Sequence, residues 1–343
     1  MRHLLNTLFV TTEDAYLTLD GENTVVKRSD EEIARFPLHT LEGIIMFTYA
    51  GASPALMGEC ASRGIAMTFC SPRGRFLARV SGDNNGNVLL RRTQYRIADD
   101  IDKSCEIARN MVFGKVHNSR WSVDRTLRDH RMRVNAEKLE RAGQNLQSAL
   151  PEILDVSDLS ALRGIEGETA SVYFSVIDEM ILREKESFYF KNRNRRPPLD
   201  NINAMLSFTY TLLSRDCASA LETAGLDSYV GFLHRDRPGR SSLALDLMEE
   251  LRPCLADRFV LTCVNNGIVN GDDFIQRESG AVFLTDNGRK KFLGAWQERK
   301  HDTITHPYTN EKLPWGLVPY VQALLLARYL RGDIDGYPPF LWK

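Results

Sequence analysis

The hydrophobic pattern of this chain changes period once, and that change limits the available folds more than any other feature. Up to about Gly82 the apolar residues come in short β-branched or alternating runs, at 8–10, 16–19, 24–26, 43–47, 65–69 and 75–80, which suit strands. Asp20-Gly21-Glu22-Asn23 supplies a turn between two of them. Ser53 followed by Pro54 opens a short helix over 53–62, and Gly64 closes it. From about Val88 the spacing is that of helices and remains so, with interruptions, to the end. A chain of 343 residues exceeds the usual single core. The expectation is therefore an α+β protein in two domains. A strand-rich domain covers 1–87 and ends in a polar, turn-rich linker at 83–87. A larger, all-α-helical domain covers 88–343.

A net charge of −1 excludes a uniformly basic nucleic-acid binder, while it permits basic and acidic surfaces to be segregated on one molecule. The six cysteines, at 60, 70, 105, 217, 254 and 263, form no Cys-x-x-Cys pair and no dense framework, which fits reduced thiols in a cytoplasmic protein. No uncharged apolar run approaches the ~20 residues of a membrane span.

Chemistry concentrates between Gly231 and Pro253. His234 precedes a helix in which Leu243, Leu247 and Leu251 recur at four-residue spacing, with Ser241 or Ser242 as N-cap, no capping box, and Pro253 limiting the helix or starting the next. On that helix Glu249 and Glu250 each lie within about 60° of Asp246, so the carboxylates repel unless a cation is near. Pro238-Gly239 turns the chain so that the imidazole comes back toward the acids, and such a mixed nitrogen and oxygen set suits manganese or magnesium. The competing reading is a solvated acidic face beside an ordinary surface histidine.

Three other stretches bear on that choice. Gly164 and Gly167 flank Glu166, next to Arg163, just before an apolar-rich helix over 170–180; the same acids also suit the positive end of a helix start. Lys191, Arg193, Arg195 and Arg196 follow Phe188, Tyr189 and Phe190, and Pro197-Pro198 keeps the segment out of a helix. This is the pattern of a basic loop that holds a phosphate backbone. Basic residues also recur from 103 to 141, at Arg109, Lys115, Arg120, Arg125, Arg128, Arg131, Arg133 and Lys138, where interspersed acids make a solvated helix surface the default. Asn203 sits among apolar neighbours in a helix over 201–213 with no partner evident from sequence. Later, 281–284 suits a short strand, Asp286-Asn287-Gly288 a turn, and 314–329 an apolar core helix.

The Gly-Ile-Glu166-Gly start, the Arg193-Asn-Arg195-Arg196-Pro-Pro198 loop followed by Asn203, and the block from Gly231 to Pro253 occur in the order and spacing of one family. The chain resembles the Cas-one family, the CRISPR-associated integrase and endonuclease of spacer acquisition. The resemblance spans the whole chain, and its wording, including the Pro338-Pro-Phe-Leu-Trp-Lys343 end, is most similar to the type I-C branch. It implies a β-domain linked to a helical catalytic domain, with catalytic residues at Glu166, His234, Asp246 and Glu249. Of these, Glu166, His234 and Glu249 would hold Mg2+ or Mn2+, and Asp246 would act beside the metal. At the last ligand position relatives often carry aspartate, so Glu249, three residues after Asp246, is favoured over Glu250. The implied DNA-binding set is Arg163, Lys191, Arg193, Arg195, Arg196 and Arg240. The resemblance further implies a homodimer joined through β-domains, and a small Cas-two partner protein bridging two such dimers.

The expected reaction is metal-assisted phosphoryl transfer, in which the 3′-hydroxyl of a captured DNA fragment attacks a phosphodiester of the repeat array; attack by water would give nuclease activity. Two alternatives stand beside it: a non-catalytic DNA-binding scaffold whose acids are structural, and a metal hydrolase of small phosphoesters that needs no extended basic surface.

Overall fold

A computed structural model describes residues 6–41, 43–72, 76–80, 82 and 88–343. The expected linker at 83–87 lies outside the described residues. The chain forms two compact units, one of residues 1–85 with 289–301, the other of 86–288 with 302–343.

In the first unit, β1 (Thr7–Val10) is followed by an antiparallel meander of β2 (Tyr16–Asp20), β3 (Asn23–Arg28) and β4 (Glu31–Pro37). Next come β5 (Gly43–Met46), α1 (Pro54–Arg63), β6 (Ala66–Cys70) and β7 (Phe76–Val80). The second sheet has the order β1-β5-β6-β7, with β1, β5 and β6 parallel and β7 antiparallel. Leu17, Leu38, Ile44, Met46, Leu56, Cys60 and Met67 are its buried core. Ser53 caps α1 as expected, its Oγ accepting from Leu56 N at 3.3 Å. The sequence reading missed β4, because Glu31, Glu32 and Arg35 mask its alternation; Arg35 instead pairs with Glu32 and with Asp20 on β2.

The second unit is built around α3. It begins with α2 (Val88–Asp99), α3 (Ile101–His130), α4 (Ala136–Asp155) and α5 (Leu159–Ser175). Asp100, Asn135 and Asp158 cap α3, α4 and α5 by accepting from a backbone N–H three residues on. A loop then leads to α6 (Asn201–Thr223), capped by Asp200, and a second loop leads to α7 (Ser242–Leu251). A π-helical turn over Arg252–Asp257 carries Pro253 and joins α7 to α8 (Arg258–Asn265), so the proline neither stops the chain's helical course nor restarts it. One face of α3 is fully buried, with Ile107, Ala108, Met111, Val112, Val116 and Val123, and packs on α4, α5 and α7. The approach of α3 to α7 requires a glycine. A Cβ at Gly114 would lie 3.0 Å from Glu250 Cβ and 3.1 Å from Pro339 Cβ.

The helical domain is not all-helical. β8 (Phe274–Gln276) pairs with β9 (Val282–Leu284) through a turn with Gly280 at φ 78°. α9 (Asp286–His301) then starts where a turn was expected, and Gly288 lies within it because a Cβ there would meet Asp273 O at 2.4 Å. Most of α9, residues 289–301, belongs to the first unit, whereas its periodicity alone assigned it to the helical domain; Arg289 donates to Pro72 O. β10 (Thr303–Thr305) and β11 (Lys312–Pro314) form a second short hairpin before α10 (Val318–Arg331), a core helix as expected. The helix expected over 170–180 in fact begins at Leu159, so Gly164 and Gly167 lie in its middle. Nothing lies within 4 Å of a Cβ built on either, so internal packing does not require them.

Candidate active site

Asp246, Glu249 and Glu250 are 0%, 2% and 0% exposed, which overturns the reading of a solvated acidic face. α7 resolves the expected repulsion by sending each carboxylate to different partners. Both oxygens of Asp246 accept backbone N–H groups: Phe232 at 2.6 Å, Leu233 at 2.9 Å and His234 at 3.0 Å. Gly231 makes this possible, since a Cβ there would stand 2.7 Å from Asp246 Oδ2. Asp246 Oδ1 also lies 2.5 Å from His234 Nδ1. A carboxylate can only accept, so Nδ1 carries a proton, and in the neutral imidazole the lone pair is on Nε2, 3.9 Å from Glu249 Oε1. Arg163 on α5 braces the same loop by donating Nε–H to Leu233 O at 2.8 Å. Ser241 stands at the N-cap position of α7 without a side-chain cap bond, and the Ser242 hydroxyl is spent on Arg235 O.

Glu249 faces two cations. Arg252 Nη1 is 2.8 Å from its Oε1, and Lys115 Nζ is 2.8 Å from its Oε2. Burial alone would raise its pKa, but Arg252, Lys115 and His234 outweigh burial and hold the carboxyl below the usual range. Lys115 also bonds the Glu166 carboxylate, so its ammonium bridges α5 and α7. Glu250 points the other way. Its carboxylate accepts from Tyr337 OH, from Gln322 Nε2 at 2.9 Å and from Phe340 N at 2.8 Å. It anchors the 337–342 segment, which Asn118 also ties by bonding Phe340 O and Trp342 N. Burial pushes the Glu250 carboxyl up to about 7 against those three donors.

The structure thus joins Glu166 and Glu249 through Lys115, and it sets His234, backed by Asp246, against Glu249. Among the described residues no three His, Cys, Asp or Glu side chains are grouped to hold a metal ion as they stand. The donor chemistry nevertheless fits a hard divalent cation, with two carboxylates already gathered on a positive charge and an imidazole nitrogen facing one of them.

The basic loop divides internally. Lys191, Arg195 and Arg196 are exposed, and Lys191 lies over the Tyr189 ring. Arg193 is turned inward, where Nη1 donates to Asn203 Oδ1 at 2.6 Å and Nη2 to Ser207 Oγ at 3.1 Å. Asn203 accepts from Asn194 N and donates to Asn192 O, so its partner, unnamed from sequence, is the loop itself. The Tyr210 ring meets both Arg193 and Arg252, at 5.3 and 4.9 Å from their guanidinium carbons. Tyr210 OH donates to Asp257 at 2.6 Å. Arg240 is half-buried in the turn before α7.

Sequence reasoning missed Lys115 and Arg252. Lys115 was assigned to a solvated surface, yet it is 7% exposed. Its signal was present: it falls at helical spacing from Ala108, Met111 and Val112 on the apolar stripe of α3, where an unpaired cation is not tolerated.

A helical unit that sets carboxylates and an aspartate-backed imidazole beside an arginine-rich loop has the makings of a nucleic-acid enzyme. A model of the family described as CRISPR associated protein Cas1 matches residues 8–298. The chain is 48% identical over 343 residues, covering 100% of both chains, to CRISPR-associated endonuclease Cas1 1 of Chlorobaculum tepidum. Its fold is similar to that of a casposase bound to integration product, with a TM-score of 0.83, 22% identity and coverage of 98% of this chain and 94% of that one. It is also similar to a chain of a Cas6-RT-Cas1–Cas2 complex, with a TM-score of 0.81, 22% identity and coverage of 98% of this chain and 36% of that one. The chain belongs to the Cas1 family of CRISPR-associated endonucleases.

Proposed function

We propose that this protein cuts and joins DNA in spacer acquisition, the 3′-hydroxyl of a captured fragment attacking a phosphodiester of the CRISPR array so that a new phosphodiester forms and the array strand's 3′-hydroxyl leaves, at the cluster of Glu166, His234, Asp246 and Glu249. The observation that carries this reading is the convergence of two carboxylates from different helices with an imidazole whose tautomer Asp246 fixes. Glu166, His234 and Glu249 are the residues that would hold Mg2+ or Mn2+. When bound, the ion polarises the phosphoryl oxygen and stabilises the entering and leaving oxygens.

The chain's own residues do the rest. Asp246 keeps the imidazole aimed, and it pins the loop that carries it. Arg163 braces that loop from α5. Exposed Lys191, Arg195 and Arg196 hold the DNA backbone, while Arg193 keeps their loop in shape, and Arg240 contributes charge at the entry to α7.

The functional assembly in this reading is a cytoplasmic homodimer joined through the β-domain, with residues 83–87 linking 1–87 to the catalytic part over 88–343, bridged by the small Cas2 protein. The fold similarity to a chain of a complex that contains Cas1 and Cas2 supports the Cas2 partner. The type I-C branch is proposed on the overall wording of the chain, including 338–343. No helix among the described residues is long and apolar enough to cross a membrane.

The deciding experiment is strand transfer into a repeat array with the partner protein present, with and without chelator. Transfer that chelator and Glu166→Ala both remove supports the reading. DNA binding without divalent-dependent transfer supports a scaffold instead. Cutting at 83–87 is expected to release a monomeric fragment from Val88 onward, and a fragment that still dimerises places the interface elsewhere.

A further inference from the structure

Lys115 is a cation at the centre of an anionic cluster, and the reaction proposed above assigns it no role. Its side chain is 9% exposed, and its ammonium touches the carboxylates of Glu166 and Glu249, the latter with a side-chain exposure of 2%. Arg252 holds the other oxygen of Glu249. The four side chains carry two positive and two negative charges, so the cluster is balanced. Adding a divalent ion among the same carboxylates leaves two excess positive charges in a poorly solvated place, and such an excess is costly. Of the two cations, Arg252 is fixed by a fork that also lies over the Tyr210 ring, whereas lysine is a point charge on a flexible stem. A way out exists beside Glu166. Its side chain is 26% exposed, so the contact between the ammonium and this carboxylate lies at the edge of the cluster that solvent reaches.

We propose that the Lys115 ammonium is a built-in place-holder for the metal ion. It holds the carboxylates of α5 and α7 together and charge-balanced until a divalent cation takes its place. It thereby raises the metal concentration at which the site fills and supplies a cation that swings out toward the incoming phosphate. Lys115 is in this sense a positioning residue, and the inference rests on the metal-site reading given above.

Lys115→Met keeps the length of the side chain and removes its charge. Mn2+ binding to the full-length protein, read by electron paramagnetic resonance of free Mn2+ without DNA, separates the two ideas. Wild-type binding that Glu166→Ala and Glu249→Ala each abolish establishes the ligands independently of Lys115. With that established, Lys115→Met is expected to bind Mn2+ at least ~10-fold more tightly. It is also expected to melt lower than wild type in chelator and to recover most of that loss when Mn2+ is added. Unchanged or weaker Mn2+ affinity would mean a merely structural lysine and overturns the proposal, and wild type that binds no Mn2+ overturns the metal set with it. Should Lys115→Met not fold, the wild type decides alone. Mn2+ is expected to raise the rate at which an amine-reactive ester labels Lys115 several-fold, read by peptide mass spectrometry, and an unchanged rate refutes the exchange.

Discussion

Glu249 and Glu250 are adjacent on α7, both buried, and have opposite surroundings. Glu249 is paired with Lys115 and Arg252, near an imidazole, on the side where Glu166 opens to solvent. Glu250 meets only neutral donors, which belong to Gln322, Tyr337 and Phe340. Cations hold the first carboxyl ionised, whereas burial favours the protonated form of the second. One helix therefore has a side suited to binding cations and a side that locks the fold, and the two are a single residue apart. Ionised carboxylates gathered around an exchangeable cation can do chemistry, while a carboxyl surrounded by neutral donors can only hold.

The largest expected effect is on the first side. Glu166→Ala and His234→Ala each remove one candidate ligand and no core contact, so strand transfer should fall by at least ~100-fold while the helical circular dichroism and the melting temperature change little. Wild-type rates in either variant break the comparison, because the cluster would then be as structural as its neighbour. On the second side the order of effects reverses. Phe340 is fully buried against His306 and Trp315, and Phe340→Ala should cost about 3–5 kcal/mol in a denaturant titration. Its transfer rate per folded molecule should change far less than that of Glu166→Ala.

This division was only partly legible in the sequence. The strand-to-helix switch, the caps at Ser53 and the buried leucines of α7 follow from local periodicity, which survives in any tertiary setting. That Glu166, His234, Asp246 and Glu249 belong to one site was implied by the family resemblance, whereas residue types and spacing alone left a solvated acidic face open. Where each carboxylate points did not follow, because about 100° on a helix separates two adjacent glutamates that look alike in sequence yet meet different neighbours. Lys115 and the 337–342 segment supply those neighbours from α3 and from the far end of the chain, and no local pattern encodes such distant pairings. Charge also misled at β4, where surface acids obscured a strand, and at α9, whose helical periodicity carries no record of the unit that receives it.

The two sides should also differ in their response to pH. Burial raises the Glu250 carboxyl from an ordinary 4.5 to about 7, and that of Asp257 to about 6 despite bonds from Tyr210. For a carboxyl raised on folding, the stabilising contribution is fully present below the unfolded value and is lost as pH rises through the folded one. Melting temperature should therefore decline between about pH 5 and 8, with full ionisation of Glu250 opposing the fold by on the order of 3 kcal/mol. Glu250→Gln should remove the upper part of that slope and leave the lower part, which belongs to Asp257. An equally steep slope in the variant would mean that Glu250 does not titrate in this range.

The smallest effect carries the comparison to the basic loop, which repeats the same division among its arginines. Arg193 is the inward member. Its guanidinium satisfies Asn203 and Ser207 and lies over Tyr210, whose ring also meets the Arg252 that holds Glu249. Arg195 and Arg196 are the outward members, exposed at the crest of the loop. Replacing Arg195 and Arg196 together by alanine removes two candidate phosphate contacts, so the log–log salt slope of duplex binding should fall by up to about 1.8, at roughly 0.9 for each. Stability should stay within about 0.5 kcal/mol of wild type, as expected for exposed substitutions. Arg193→Ala should do the opposite. It removes two charge-assisted hydrogen bonds, to Asn203 and Ser207, and should cost about 1–3 kcal/mol of stability, with a salt slope that drops by less than one contact's worth. If Arg193→Ala instead lowers the slope as far as the double variant while stability holds, the inward arginine is itself a DNA contact. The loop would then act as one uniform basic patch, and the separation of bracing from working charges would be confined to α7.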